Sequence, residues 1–324
     1  MITGNAGMLG SCFADWLLEN TDYNVIGIDD LSGGYLDNVN PKVVFYLRDC
    51  GSDLTDIFEK FDIEYCYHFG CYSAEGISPF IRKFNYTNNL VTTANMVNFC
   101  VKYGVKLIYA SSMSVYGNAS PPPFKETAPL VPFDPYANSK IASERDIIIV
   151  HQQHNLRYAI IRPHNILGRR QNLFDKYRNV ASIFIRQILN GEDLTVFGDG
   201  NQLRAFSWCD DYFPVFLKVA ENDYDDPIFN FGGDDFFTIN ELAEQLIKIT
   251  GYDGKIVHLQ PRHEVREAWC DHSKVKEVLG FESKVKLPEM LTEMWNWAKL
   301  QPSRPIKTFE NIELEVGLYD FWKK

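Results

Sequence analysis

Apolar, β-rich runs recur at 24–29 (NVIGID), 43–48 (VVFYLR), 64–69 (EYCYHF), 105–110 (VKLIYA), 157–162 (RYAIIR) and 228–231 (IFNF). Helical patterns lie between several of them, at Met8 to Glu19, Asn88 to Tyr103 and Tyr136 to His154. Alternation of this kind builds right-handed βαβ units, so the predicted fold is α/β, a doubly wound parallel sheet with helices on both faces. Beyond about residue 165 the rhythm changes to loops, at 169–179 (RRQNLFDKYRN) and 197–206 (FGDGNQLRAF), followed by helical stretches near 238–250 and 287–299. These cannot extend the same regular sheet. We therefore expect a first domain from 1–165 with about 206–231, and a smaller α/β lobe from 166–205 with about 232–300, meeting at a cleft. The stretch 120–124 (SPPPF) is expected to be a stiff surface loop. The tail 301–324 is expected to be an appendage docked by Phe309, Tyr319 and Trp322.

A glycine-rich turn follows the very first residues. Gly4, Gly7 and Gly10 form G-x-x-G-x-x-G, close to the G-x-G-x-x-G dinucleotide fingerprint, in which glycines allow a tight turn, backbone approach to a pyrophosphate and close helix packing. Such turns are common by themselves, and the strand that should aim this one is reduced to Met1, Ile2 and Thr3. Asp29 changes the balance. It ends the second predicted strand, 19 residues beyond Gly10, where an acid that holds the adenosine ribose hydroxyls belongs. A carboxylate there repels a 2′-phosphate, and 29–34 (DDLSGG) has no Arg to receive one, which favours NAD over NADP. The first strand is expected to be clipped, with fewer ladder bonds at the sheet centre and weaker NAD retention. Apolar residues added ahead of Met1 should then tighten retention of NAD through gel filtration; unchanged retention would count against this.

Composition narrows the classes. Across 324 residues, 45% hydrophobic and 23% charged, the chain has the make-up of an ordinary globular protein. A net charge of −11 argues against a nucleic-acid surface, so an anionic ligand needs local positive charge. Seven scattered cysteines show no metal-ligand or disulfide spacing and read as reduced, mostly buried thiols. No apolar run approaches a membrane span and the first residues do not form a signal peptide, so no membrane partner is expected and the expected address is the cytoplasm.

Two segments carry candidate chemistry. In 136–140 (YANSK), Tyr136 and Lys140 are four apart at a predicted helix start and share a face, so the ammonium should lower the phenol's pKa. The segment 109–117 (YASSMSVYG) follows the fifth strand, at the edge where doubly wound sheets bind ligands, and offers Ser111, Ser112 and Ser114. Taken alone, the first is equally a surface pair and the second a serine-rich turn. Beside a dinucleotide site they supply a hydroxyl, a phenol and an amine for carbonyl chemistry.

The segments 3–10 (TGNAGMLG), 67–72 (YHFGCY), 109–117, 135–140 (PYANSK), 162–172 (RPHNILGRRQN) and 197–211 (FGDGNQLRAFSWCDD) occur in the order of the extended short-chain dehydrogenase/reductases. The chain resembles their nucleotide-sugar branch, which includes UDP-glucose 4-epimerase, over about residues 1–300. The resemblance implies a Rossmann fold in which Gly4, Gly7, Met8 and Leu9 line the NAD pyrophosphate, Asp29 the ribose and Asp49 with Cys50 the adenine. Phe69 and Gly70 would pass beneath the cofactor, where relatives more often carry Leu-Ala-Ala. Ser112, Tyr136 and Lys140 match the catalytic set. Asn165 matches a sugar-nucleotide contact, and Arg204 and Arg262 match arginines on its diphosphate. Glu75, in 72–79 (YSAEGISP), should lie near the sugar. His164 falls where the family has an aromatic pocket wall. Relatives have Asp after the first arginine; Ala205 here implies a local loss of support.

The same resemblance points to a reaction. The 4,6-dehydratases use an Asp-Glu pair after the hydroxyl residue, the uronate decarboxylases a nearby Glu, and the 3,5-epimerases a Cys, whereas this chain has Met113 and Ser114. What remains is C4 inversion of a nucleotide sugar through a transient 4-keto intermediate. The alternatives are a 4,6-dehydratase or dehydrogenase, and a non-catalytic NAD-binding interaction protein. Apolar faces at 88–103 and 136–154 resemble the family's homodimer seam; equally, they pack only on the sheet.

Overall fold

A computed structural model describes residues 1–118 and 121–323. The first half alternates strand and helix: β1 (Ile2–Thr3), α1 (Met8–Asn20), β2 (Ile26–Asp29), β3 (Val44–Leu47), α2 (Thr55–Lys60), β4 (Tyr65–His68), α3 (Arg82–Tyr86), α4 (Thr92–Tyr103), β5 (Lys106–Ala110), α5 (Pro135–His154) and β6 (Tyr158–Pro163). There follow β7 (Ile166–Leu167), α6 (Val180–Leu189), β8 (Leu194–Phe197), β9 (Leu203–Ala205), β10 (Ser207–Trp208), α7 (Phe213–Glu221) and β11 (Ile228–Phe231). The remaining elements are β12 (Phe236–Thr238), α8 (Ile239–Thr250), β13 (Ile256–Leu259), β14 (Glu267–Ala268), α9 (Ser273–Leu279) and α10 (Leu287–Ala298).

Seven strands form one parallel sheet in the order β11-β6-β5-β4-β1-β2-β3. The order reverses between β1 and β4, and in such sheets the crevice beyond the strands' carboxyl ends is where ligands bind. The short β1 is nevertheless the centre of the sheet. Ile2 and Thr3 pair with Gly27 and Ile28 on one side and with Tyr67 and His68 on the other. The Met1 carbonyl adds a bond from Tyr67 N at 2.9 Å. Three smaller sheets, β7 with β10, β8 with β13, and β9 between β12 and β14, lie outside the main one.

Apolar residues explain how these layers adhere. On one face Phe13 of α1 meets Tyr67, Phe213 and Phe216, with ring centroids 4.7, 5.5 and 5.6 Å away. On the other, Phe58 stacks on Phe99 at 5.0 Å beside buried Met96 and Ile147. The helix expected from Asn88 begins at Arg82 and passes through a π-helical turn at Thr87–Val91. That turn aims Asn89 at the backbone of Tyr72, which donates to Asn89 Oδ1 at 2.8 Å and accepts from its Nδ2 at 3.1 Å. Within 120–124, Ser120 lies outside the described residues, and Phe124 is not a surface residue but is buried against Tyr116. All seven cysteines are free. The tail packs Phe309 edge-on against Tyr72 and Phe84, while the Tyr319 hydroxyl accepts from His263 N at 2.8 Å.

Candidate active site

A cleft of about 480 Å³ runs along the carboxyl ends of β1, β2, β4, β5 and β6. Its floor is the glycine loop. Gly4 has φ +68°, and a Cβ on it would lie 2.9 Å from Gly70 N; a Cβ on Gly10 would lie 2.3 Å from the Gly4 carbonyl. Only glycine lets α1 start this close to the turn. No side chain caps that helix and its first turn carries no acid, so its opening N–H groups are left for an anion. The Asp29 carboxylate accepts from Ala6 N at 2.9 Å and Leu31 N at 2.7 Å, which ties the loop to the end of β2. Burial pushes its pKa up, against those two bonds. Met8, Leu9, Asp49, Cys50, Phe69 and Gly70 also line the cleft, so the donor set and the close backbone approach fit a dinucleotide.

The helix that carries Tyr136 and Lys140 is fixed at its start by Asp134, whose carboxylate accepts from Ala137 N at 2.9 Å, with Pro135 at the first position. One turn then brings both side chains under the end of β5. Tyr136 is buried, and its hydroxyl accepts from Ser73 Oγ at 3.2 Å. Lys140 Nζ donates to the Ala110 carbonyl at 2.6 Å and lies 5.8 Å from the Tyr136 ring centroid. Ser112 lines the same cleft and caps the next turn, accepting from Ser114 N at 3.2 Å. The expected lowering of the phenol pKa is not the net result. Complete burial raises it, outweighing the Lys140 ammonium and the Ser73 bond, which both act downward.

Beneath the serines lies an ion pair out of reach of water. Glu144, one turn after Lys140, accepts from Arg162 Nε at 2.9 Å and Nη2 at 2.6 Å and also from the Ser111 hydroxyl. Arg162 further donates to Tyr116 Oη at 2.8 Å and to the Glu126 carbonyl at 3.0 Å.

At the far end the two sequence-predicted arginines come together. Arg204 and Arg262 each place Nη2 on Glu264 Oε2, at 3.2 and 3.1 Å. Arg204 also donates to the carbonyls of Leu203, Val265 and Arg266. Glu264 and these carbonyls provide the support expected to be missing beside Ala205. Glu75 faces the cleft and its water, yet protein encloses it closely enough to act as burial. That enclosure, with the Asp134 charge, pushes its carboxyl up to about 7 against the pull of Arg204 and Arg262. Asn165, at φ +42°, donates to the Ala205 carbonyl at 2.9 Å. Its neighbour His164 is buried with Nε2 2.9 Å from His272 Nε2, and His272 Nδ1 is 2.9 Å from Asp234. Burial and the neighbouring His272 lower the His164 pKa to about 3, so it is a neutral wall rather than a proton donor.

The site residues singled out from the sequence line the cleft, except Lys140, which is buried beside Tyr136. Others escaped notice. Arg178 reaches it from the loop before α6, paired with Asp175 at 3.0 Å and set over the Tyr72 ring at 4.7 Å. Asn179 caps α6 and Gln202 borders Glu264. The only local signal for these was the Asn-before-apolar-run signature at 179–189.

Residues 1–232 match the model of the NAD dependent epimerase/dehydratase family. UDP-glucuronic acid decarboxylase 6 of Arabidopsis thaliana is 31% identical over 95% of this chain and 90% of its own. UDP-glucose 4-epimerase of Mycolicibacterium smegmatis is 30% identical over 89% of this chain and 95% of its own. The crystal structure of UDP-glucose 4-epimerase with UDP-glucose from Thermotoga maritima superposes with a TM-score of 0.87 at 32% identity, covering 92% of this chain and 97% of that one. With a parallel sheet and with a glycine loop and Tyr136 in one cleft, the chain belongs to the NAD dependent epimerase/dehydratase family.

Proposed function

We propose that this chain is an NAD-dependent 4-epimerase of a UDP-sugar, with Ser112, Tyr136 and Lys140 as its catalytic residues. The observation that carries this is one cleft with Tyr136 and Ser112 at one end, Lys140 Nζ buried 5.8 Å from the Tyr136 ring centroid, and the Arg204–Arg262 pair at the other end, with Met113 and Ser114 where an elimination would need an acid and a base. Gly4, Gly7, Met8 and Leu9 would hold the NAD pyrophosphate, Asp29 the ribose, Asp49 and Cys50 the adenine, and Phe69 and Gly70 the face below. When bound, NAD supplies a hydride acceptor and donor for C4 and the positive charge of its oxidised ring. Tyr136 takes the proton of the sugar 4-hydroxyl and returns it. Ser112 donates to the same oxygen, and Lys140 opposes the effect of burial on the phenol. Arg204 and Arg262 would set positive charge against the diphosphate, while Asn165 and Glu75 would border the sugar. Turning of the 4-keto sugar about its diphosphate link would present its other face to the cofactor, so configuration would invert without net redox change.

Residues 1–165 with about 206–231 form the cofactor half of this proposal, and 166–205 with about 232–300 the nucleotide-sugar half. A homodimer through 88–103 and 136–154 is supported by exposed Val91 and Ile149 on those helices. A cytoplasmic address is supported by seven free thiols. No helix among the described residues is long and apolar enough to cross a membrane.

The test is incubation with UDP-glucose, UDP-N-acetylglucosamine and UDP-glucuronate, with products read by NMR and NADH by absorbance. A C4-inverted sugar without accumulated NADH is expected. A stable 4-keto product, a pentose or free NADH would move the chain to another branch of the family.

Glu75 gives this site a pH dependence. With its carboxyl near 7, it is neutral at pH 6 and charged at pH 8, where it repels a diphosphate held by Arg204 and Arg262. The dissociation constant for UDP-glucose, measured by calorimetry, is expected to rise a few-fold, about 3–10 times, between those pH values. Glu75→Gln should remove the trend, and equal affinities in the unaltered protein would refute it.

A further inference from the structure

The segment after β4 alternates between core and cleft. Tyr72, Ala74 and Ile77 pack into one apolar cluster with Phe80, Tyr177 and Trp322, whereas Ser73 and Glu75 are exposed and line the cleft. The apolar side chains anchor the segment, Asn89 holds the Tyr72 backbone at both its N–H and its carbonyl, and the two polar side chains are left to the cleft.

This segment joins the two ends of the site. Ser73 Oγ donates to the Tyr136 hydroxyl at 3.2 Å. Gly76 abuts one of the arginines that face a diphosphate: a Cβ there would lie 3.2 Å from Arg262 Nη1, and 3.0 Å from Cη2 of the tail's Trp322. Glu75 stands between these two contacts, in the stretch a hexose spans when its C4 is at the phenol and its diphosphate is at the arginines. The charged groups that act on Glu75 are Asp134 at the start of α5, Arg204 on β9, and Arg262 and Glu264 beyond β13, with the Tyr136 phenol beside them. Three carboxylates therefore meet two guanidiniums, and Glu264 already holds both guanidiniums. The Glu75 carboxylate takes no hydrogen bond from the described residues, and its carbonyl alone is engaged, by the Ser78 hydroxyl at 2.8 Å. Such a group accepts from sugar hydroxyls and repels a second carboxylate.

We propose that Glu75 is a specificity-determining residue, which restricts the nucleotide sugar to a hexose that bears no carboxylate and excludes uronates. This rests on the nucleotide-sugar function proposed above. Asp134 adds to the same selection, since its charge lines the cleft on the same side.

UDP-glucose and UDP-glucuronate differ only at C6, hydroxymethyl against carboxylate, so the ratio of their dissociation constants isolates the charge. In calorimetry on the NAD-loaded protein at pH 8, UDP-glucuronate is expected to bind about 10–100-fold more weakly than UDP-glucose. Glu75→Gln keeps the shape and an acceptor oxygen and removes the charge; it should lower that ratio about tenfold and leave NAD affinity as it was. At pH 6, where the Glu75 carboxyl is protonated, the unaltered protein should give the smaller ratio of the variant. Equal affinities for the two sugars at pH 8, or a discrimination that survives Glu75→Gln, overturns the inference. Should the variant fail to fold, the unaltered protein decides: a ratio that stays constant from pH 6 to pH 8 assigns the exclusion to shape and refutes the role of Glu75. If neither UDP nor either sugar binds, the proposed function and this inference fall together; binding of UDP and UDP-glucose without selection against the uronate removes only the latter.

Discussion

Tyr136→Phe is expected to lower kcat about 10²–10⁴-fold, while NAD content and the affinity for UDP-glucose stay within about twofold. The substitution removes a single oxygen. The ring remains packed at the start of α5, Lys140 keeps its bond to the Ala110 carbonyl, and the hydroxyl that loses its acceptor belongs to Ser73, which is exposed to the cleft. What disappears is the group proposed to move the proton. A Phe variant with turnover within tenfold of the original would leave proton transfer to some other residue and sink the assignment. Lys140→Met tests the second half of the pair. The ammonium pulls the Tyr136 pKa down against burial, so without it the phenol ionises at higher pH and the rising limb of the pH–rate profile moves alkaline. An unmoved limb with reduced kcat would instead mean that Lys140 serves only in binding.

Much of this site could be read from the sequence because its parts are local. The glycine loop, the acid at the end of β2, the Asp-Pro start of α5 and the Tyr-Lys turn are each set by residues within a few positions of one another. Periodicity located the strands of the main sheet to within one or two residues, since buried parallel strands are short apolar runs with sharp ends. The helix at 82–103 was misjudged because Asn85, Asn88 and Asn89 are poor helix formers. Asn85 and Asn89 are retained there to bond Pro135, Tyr72 and each other. The phenol's net pKa was misjudged because i, i+4 spacing reports the neighbouring charge and says nothing of burial. Contacts remote in sequence had no local signal at all. Glu264 bridging Arg204 and Arg262, the tail indole beside Arg262, and Arg178 over Tyr72 are all made by the way loops return to the sheet.

Removing one partner of the Glu144–Arg162 pair is expected to cost about 3–5 kcal/mol of stability and to lower the melting temperature by roughly 5–15 °C. Side-chain exposures of 1% and 3% mean that neither charge reaches water once the other is gone. Arg162→Met strands the Glu144 carboxylate with only the Ser111 hydroxyl to satisfy it, and it also takes a donor away from Tyr116 Oη and from the Glu126 carbonyl. Glu144→Leu strands the guanidinium in the same way. The double variant Glu144→Leu/Arg162→Met should be more stable than either single one, because desolvating an unpaired charge costs more than losing the pair. A double variant whose loss equals the sum of the single losses would show no coupling between the two side chains and would overturn the stranded-charge account. The function should follow the geometry. The Ser111 hydroxyl bonds Glu144 immediately before Ser112, so the double variant, though folded, loses the tether on the residue next to the proposed donor to the sugar's 4-oxygen and should lose kcat with little change in KM. Calorimetric melting separates the first effect from the second: a kcat loss in a double variant that melts within a few degrees, about 2–4 °C, of the original assigns Glu144 to positioning as well as to stability.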